Sequence, residues 1–181
     1  MTTYCEYCIT HPEDTFNKNY HDTQYGFPLE DDNELFERLI LEINQAGLSW
    51  ITILKKADNF RKAYSKFNIA KIAKYTEEDR ARLLADAGII RNRLKVNAAI
   101  VNAQKVLELK KEYGSFKGWL DAHHPLTKEE WTKLFKKTFI FTGGEIVNEF
   151  LMSTGYLPGA HTPDCPMYRI VIAQHPAWYS R

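Results

Sequence analysis

Cysteine and histidine side chains cluster at the two ends of this 181-residue chain. Near the carboxyl-terminal end, His161 and Cys165 are four residues apart, and borderline-soft zinc favours a mixture of imidazole and thiolate ligands. A site with two thiolates and two imidazoles would tie both termini together, and it would be structural because four protein ligands leave no position for water. The alternative is a set of unconnected thiols and surface histidines. The amino-terminal candidates are Cys5, Cys8, His11 and His21, and spacing alone leaves Cys8 and His21 open as the fourth ligand.

A second chemical feature is an acidic residue, Glu42, at the rim of an apolar helix face. Residues 31–45 carry apolar side chains at helical spacing, and Glu42 lies in line with that stripe. A carboxylate buried there without a partner costs free energy, so it should bind something, take up a proton or face a cavity. Trp50 opens the next predicted helix close to the acid. This pairing indicates a pocket; the alternative is that Glu42 forms a surface ion pair and Trp50 packs in the core.

A third candidate site is the short basic segment AGIIRNRLK, residues 87–95, which joins two strongly helical patterns. Glycine allows close approach there, backbone N–H groups of the turn and the following helix can point at a phosphate, and the basic side chains add charge. The alternative is an ordinary helix connection with solvated basic residues. The candidate phosphate-contacting residues are Gly88, Arg91, Asn92, Arg93 and Lys95.

The elements that must position these residues are predicted to be helices throughout. Residues 1–27 lack helical periodicity and are predicted to be a functional loop. Capping-box patterns at Thr76 and Thr127 mark two helix starts, and a helix, turn and helix are expected over about 76–113. No convincing strand run occurs. The predicted helices are 31–45, 49–57, 59–67, 76–86, one that follows the turn at 88–92, 115–122, 127–139 and 143–155.

Composition narrows the class of protein. A chain of this length with 44% hydrophobic residues can bury a real core without disulfides or metals. The formal net charge of +1 gives no evidence from bulk electrostatics for a nucleic-acid or membrane partner. Three cysteines agree with a reducing compartment. With no signal pattern and no apolar run near the ~18 residues of a membrane span, we expect a cytoplasmic protein.

Four motifs together resemble the 3-methyladenine DNA glycosylase I (TAG) family of helix-hairpin-helix glycosylases. They are YHDTQYG at 20–26, LEINQAGLSWITILKK at 41–56, AGIIRNRLK at 87–95 and HTPDC at 161–165. The resemblance implies one all-α domain over residues 1–181, with a helix-hairpin-helix element and a zinc ion tying the termini together. It implies base-excision repair: hydrolysis of the N-glycosidic bond of N3-methyladenine in alkylated double-stranded DNA after base flipping. We expect a monomer with no membrane partner.

The resemblance also implies roles for individual residues. Glu42 matches the base-recognising carboxylate and is the best candidate for a catalytic role, and Tyr20 and Trp50 match pocket aromatics. Tyr7 and Tyr25 fall where the family commonly has tryptophan, and they are expected to bind substrate. The implied structural zinc ligands are Cys5, His21, His161 and Cys165, which favours His21 over Cys8 as the fourth ligand.

Three positions depart from the commonest family pattern. Ile43 follows the acid where a small residue is frequent, Tyr25 replaces a tryptophan, and Glu145 would add a second acid if it faces the pocket. A narrower or more acidic pocket extends the expected substrates to another cationic base, N3-methylguanine. The rival interpretation is a zinc-stabilised helical DNA-binding protein of the same fold without glycosylase activity.

Overall fold

Helices account for all the regular secondary structure in the computed structural model, which describes residues 1–180. The prediction of an all-α fold is therefore confirmed. A short 3-10 helix, Ser65–Phe67, separates α4 from α5. The helices are α1 Tyr4–Thr10, α2 Thr15–Thr23, α3 Asp32–Gln45, α4 Trp50–Ala63, α5 Ile69–Ile72, α6 Glu77–Ala85, α7 Arg93–Tyr113, α8 Phe116–His123, α9 Lys128–Thr138, α10 Gly144–Ser153 and α11 Pro166–Ile172.

Several helices begin where the sequence places a side chain that can accept a hydrogen bond from the first turn. The Asp31 carboxylate accepts from the Glu34 N–H at 3.0 Å and starts α3. Both predicted capping boxes form, at Thr76 before α6 and at Thr127 before α9. These local bonds satisfy N–H groups that have no partner inside the helix, which is why these boundaries could be predicted.

The prediction that residues 1–27 form a loop is wrong, because this segment contains α1 and α2. Thr3 and Glu6 form a capping box at the start of α1, and Asp14 caps α2. The helical pattern is hidden because α1 buries Cys5 and Cys8 in place of aliphatic residues.

The region after Trp50 also differs from the prediction. One helix, α4, runs through the boundary expected at 57–59, since Phe60 and Ala63 continue the buried face that Ile53 begins. The helix α11 was not predicted.

Helix α3 passes through the centre of the molecule and packs against α4, α7, α8 and α10. Its apolar face is fully buried: Leu35, Phe36, Leu39, Ile40 and Ile43. Burial of each such side chain stabilises the fold by roughly 1.5–3 kcal/mol relative to exposure. The carboxyl-terminal end of α3 is thereby held in a rigid frame, and that end carries the candidate acid.

A second set of aromatic side chains fixes α8, α9 and α10 against each other. The Phe116 and Phe150 rings stack at 6.1 Å, and Trp119 meets Phe135 edge-on at 5.3 Å. This packing sets the position of α10, which forms one wall of the candidate pocket. Over residues 1–180, no helix combines the length and the apolar character that crossing a bilayer requires.

Candidate functional site

A cleft of 780 Å3 opens where the end of α3 meets α1, α2 and the start of α10. Glu42 forms the floor of the cleft and is only 3% exposed. The side chains around it are mainly aromatic or acidic. The lining residues are Tyr4, Tyr20, Tyr25, Glu42, Gln45, Ala46, Gly47, Trp50, Gly143, Gly144, Glu145, Ile146 and Glu149.

Glu42 does not form the surface ion pair that was its alternative interpretation. Within residues 1–180 its carboxyl has no salt-bridge partner, and none of the side-chain hydrogen bonds there involves it. The pKa of Glu42 is raised to about 8, because burial and the charge of Glu149 raise it by more than the Arg38 guanidinium lowers it. An acid at the floor of a cleft with no protein partner is poised for a ligand that can supply a positive charge or a hydrogen-bond donor.

Three aromatic rings surround the acid. Tyr20 meets Trp50 edge-on with ring centroids 5.1 Å apart, and Tyr25 lies 5.6 Å from Tyr20. The Tyr20 hydroxyl and the Trp50 indole N–H are buried without a hydrogen-bond partner among residues 1–180. Buried polar atoms normally have partners, so burial of these two unpaired groups costs free energy. Burial raises the pKa of Tyr20 and Tyr25, which keeps both phenols protonated.

The structure corrects one predicted pocket residue and adds two. Tyr7 does not line the cleft; its hydroxyl donates to Asp14 at 2.8 Å and its ring stacks on His11. Tyr4 takes a place in the cleft instead, with its ring edge-on to Tyr25 at 5.3 Å. Glu149 is the second addition. The helical spacing of α10 could have indicated it, since residue 149 falls beside the apolar positions 146 and 150.

The four residues predicted as metal ligands lie together. Cys5, His21, His161 and Cys165 are all buried, and their ligand atoms all lie within 4.8 Å of one another. The Cys165 Sγ is 3.6 Å from both His21 Nε2 and His161 Nδ1, and the Cys5 Sγ is 3.7 Å from His161 Nδ1. A tetrahedral zinc ion with S ligands at ~2.3 Å and N ligands at ~2.0–2.1 Å has S···N edges of about 3.6 Å. The donor set and spacing therefore fit such an ion.

Hydrogen bonds orient both imidazoles of the cluster. The outer nitrogen of His21, Nδ1, is 2.7 Å from the Asp22 carboxylate, and the outer nitrogen of His161, Nε2, is 2.6 Å from the Tyr25 carbonyl oxygen. These contacts leave one nitrogen of each ring facing the thiols, as the hydrogen bonds to metal-binding histidines do. Cys8 lies outside the cluster, and burial raises the pKa of its thiol to about 11.

The cluster and the cleft are joined through the backbone. Tyr4 precedes Cys5, and Tyr20 precedes His21, so two pocket rings are each one residue from a ligand. Tyr25 supplies both a pocket ring and the carbonyl that orients His161. Gly26 follows with φ of +86°, and a Cβ at that position would lie 2.9 Å from the Ala160 side chain. The close approach of these segments fixes the positions of the aromatic rings.

The third candidate site, the α6–α7 turn at residues 86–92, agrees only in part with the prediction. Arg91 and Arg93 are exposed, and within residues 1–180 neither has an ion-pair partner. Asn92 caps α7, where its side chain accepts from the Lys95 N–H. The Gly88 N–H is already donated to the Asp86 carboxylate at 2.8 Å, so it is not free for a phosphate.

Lys95 also departs from its predicted role. The residue is 5% exposed, and its ammonium donates to the carbonyl oxygens of Asn44 and Ala46, both at 2.7 Å. The expectation that Lys95 adds exposed charge is therefore wrong. The ammonium instead satisfies carbonyls at the end of α3 and ties the start of α7 to the rim of the cleft.

Comparison with known proteins identifies related sequences. A family model described as methyladenine glycosylase matches residues 10–134. The DNA-3-methyladenine glycosylase of Haemophilus influenzae is 36% identical, and the match covers 92% of this chain and 98% of that protein. The DNA-3-methyladenine glycosylase 1 of Escherichia coli is also 36% identical, over 82% of this chain and 89% of that protein.

Solved structures share the fold. A crystal structure of a variant of 3-methyladenine DNA glycosylase I (TAG) in complex with 3-methyladenine matches with a TM-score of 0.81 at 33% identity, covering 88% of this chain and 95% of that chain. The structure of TAG from Staphylococcus aureus that describes 3-methyladenine recognition matches with a TM-score of 0.78 at 33% identity, over 88% and 94% of the two chains.

The burial of Glu42 predicts how stability depends on pH. The unfolded chain ionises this carboxyl above about pH 4.3, whereas the folded chain keeps it protonated to about pH 8. The unfolded state therefore binds fewer protons between these values, and wild-type stability falls as pH rises through them. Glu42→Gln removes this loss. We expect the stability of the variant relative to wild type to increase by about 3–4 kcal/mol from pH 5 to pH 8 in urea unfolding.

The matched control for this measurement is Glu34→Gln, which makes the same chemical change at an exposed position on α3. Its stability relative to wild type should not follow this trend. A difference between Glu42→Gln and wild type that stays constant from pH 5 to pH 8 would show that the carboxyl titrates normally.

Proposed function

Because the chain belongs to the methyladenine glycosylase family, we propose that it is a base-excision repair enzyme that hydrolyses the N-glycosidic bond of N3-methyladenine in alkylated double-stranded DNA. The observation that carries this proposal is the placement of Glu42, a buried acid without a protein partner, at the floor of a cleft lined by Tyr20, Tyr25 and Trp50. The reacting base must leave the duplex to enter this cleft.

Charge is the basis of selection in this proposal. Methylation at N3 makes the base of a nucleotide cationic, whereas normal adenine is neutral. Aromatic faces attract a cation, and the Glu42 carboxyl ionises more readily when a positive charge lies beside it. The carboxylate can also accept a hydrogen bond from the exocyclic amine of the base. N3-methylguanine carries the same charge and is a second candidate substrate.

The reaction needs little acid catalysis because the cationic purine is already a good leaving group. The bond between C1′ and the purine nitrogen breaks, its electron pair neutralises the base, and the positive charge moves to the sugar. Water adds to C1′ and loses a proton. The Glu42 carboxylate can stabilise the sugar cation or accept that proton, and binding the developing charge in a desolvated cleft lowers the barrier.

Arg91 and Arg93 are proposed to hold the phosphates beside the flipped nucleotide. Arg93 is the first residue of α7. A cation at a helix amino terminus is disfavoured by the helix dipole, so folding stability does not explain an arginine there. A phosphate bound between these side chains and the helix start would make the interaction favourable.

The four-ligand cluster is proposed to hold a structural zinc ion. Cys5, His21, His161 and Cys165 would complete its coordination, and the ion would supply a fixed link between the two ends of the chain. Its contribution to function is indirect, since the neighbouring residues Tyr4, Tyr20 and Tyr25 form walls of the base pocket.

Glu42→Gln tests the proposed role of the acid in base release. We expect single-turnover release of N3-methyladenine from methylated duplex DNA to fall at least about 100-fold, because the amide cannot carry the negative charge. Chromatography of the liberated bases measures the rate. Glu34→Gln on the same helix should release the base at the wild-type rate. Binding of methylated DNA by wild type with no base released would favour the non-catalytic rival instead.

Cys165→Ser tests the metal cluster. We expect wild type to contain about one zinc ion per chain by mass spectrometry of the metal, and the variant to lose most of it and to melt at a lower temperature. Cys8→Ser is the control, since Cys8 is equally buried but lies outside the cluster. Equal zinc content in wild type and Cys165→Ser would contradict the ligand assignment.

Arg93→Ala tests the α6–α7 turn as a DNA contact. Loss of one phosphate contact should weaken binding of methylated and unmethylated duplex alike, and should reduce the slope of log affinity against log salt by about one. Fluorescence anisotropy at several salt concentrations gives both values. Arg169→Ala changes an exposed arginine on α11 and should leave the slope unaltered. An unaltered slope in Arg93→Ala as well would remove this turn from the interface.

A further inference from the structure

A second acid reaches the base cleft from the opposite wall. Glu149 lies on α10 and lines the cleft together with Glu42 of α3, and the Tyr25 hydroxyl donates to its Oε2 at 3.3 Å. Its position is therefore held by an aromatic residue that is itself part of the pocket. The two carboxyl groups are close enough to interact electrostatically, because the charge of Glu149 raises the pKa of Glu42.

Folding stability does not explain an acid at this position. Within residues 1–180, Glu149 has no ion-pair partner, and burial raises the pKa of its carboxyl. The hydrogen bond from Tyr25 lowers this pKa, the charge of Glu145 raises it, and Lys128, which lies 3.5 Å from Glu145, lowers it. Arg38, the basic group that acts on Glu42, is directed away, since it donates to the Ser153 carbonyl oxygen and covers the Tyr20 ring. The lining of the cleft thus contains three acids, with Glu42 and Glu149 inside and the exposed Glu145 at the mouth, and no basic residue.

We infer that Glu149 is a specificity-determining residue, a second carboxyl group that makes the cleft select positively charged purines over neutral ones. The inference rests on the proposed function and identifies the class of base that the pocket prefers. Like charges in one desolvated cleft repel, and this repulsion disfavours the state with both carboxyls ionised. A cationic base relieves it, whereas a neutral purine of similar shape does not. Glu42 alone would supply only part of this preference.

The expected effect is a loss of preference rather than a general loss of binding. Glu149→Gln keeps the size of the side chain and removes its charge. It should weaken binding of a cationic purine by roughly tenfold, as expected for one charge at close range in a partly desolvated site. Binding of a neutral purine should stay the same or improve, because the remaining carboxyl is less repelled.

Two small purines allow a direct test on the full chain with bound metal. The 3,9-dimethyladeninium ion is permanently cationic and resembles the damaged base with its sugar bond replaced by a methyl group, and 9-methyladenine is neutral. Quenching of tryptophan fluorescence, with Trp50 in the cleft wall, reports binding of each. The ratio of the two dissociation constants should favour the cation in wild type and should fall about tenfold in Glu149→Gln.

The control is Glu34→Gln, which removes an exposed acid of α3 that does not line this cleft, so the ratio should change less than twofold. Glu149→Asp, which keeps the charge, should retain most of the preference. An equal change in Glu34→Gln and Glu149→Gln, or a wild type that binds both purines equally, would overturn the inference.

Release of N3-methyladenine from methylated DNA separates this inference from the proposed function. If wild type releases the base and Glu149→Gln keeps the wild-type binding ratio, the enzyme assignment holds and the role of Glu149 is refuted. If wild type releases no base, the proposed function itself fails. Melting temperatures of the three variants show whether each is folded when its ratio is measured.

Discussion

The structure depends on one unfavourable placement, the nearly complete burial of the Glu42 carboxyl without a protein partner. Such a group costs free energy that the surrounding core must offset. The apolar face of α3, including the fully buried Leu39 and Ile43, fixes the backbone that carries the acid. Because that frame is rigid, the acid stays at the floor of the cleft. A proton or a bound cation relieves this unfavourable placement. Binding of a base beside Glu42 therefore depends on the charge of that base.

The cysteine–histidine cluster and the pocket are linked. Side chains from α1, α2 and the segment before α11 meet in the cluster, and pocket rings lie one residue away from two of them, at Tyr4 and Tyr20. The hydrogen bond from His161 to the Tyr25 carbonyl oxygen links the cluster to a third ring. The aromatic walls around the acid therefore depend on the closure of the two chain ends. Lys95 plays a comparable part on the other side, where it holds the end of α3 against the start of α7.

Local patterns in the sequence predicted the features that depend on neighbours along the chain. The amphipathic stripe of α3, the capping boxes at Thr76 and Thr127 and the placement of Glu42 are of this kind. Features that depend on tertiary packing were missed or misassigned. Tyr4 occupies the place in the cleft expected for Tyr7, and the Lys95 ammonium is buried against distant carbonyls. Four ligands from three parts of the chain came together as the family resemblance implied, which spacing alone did not determine.

The most direct test of the central claim is a pH titration of the Glu42 carboxyl by NMR of protein labelled with 13C at glutamate Cδ, with the signal assigned by its loss in Glu42→Gln. In the free protein we expect this carboxyl to titrate near the raised pKa of about 8. Saturation with 3,9-dimethyladeninium should lower that pKa, since a cation favours the ionised acid. A carboxyl that titrates near its ordinary value of about 4.3 and does not respond to the cation would contradict the account.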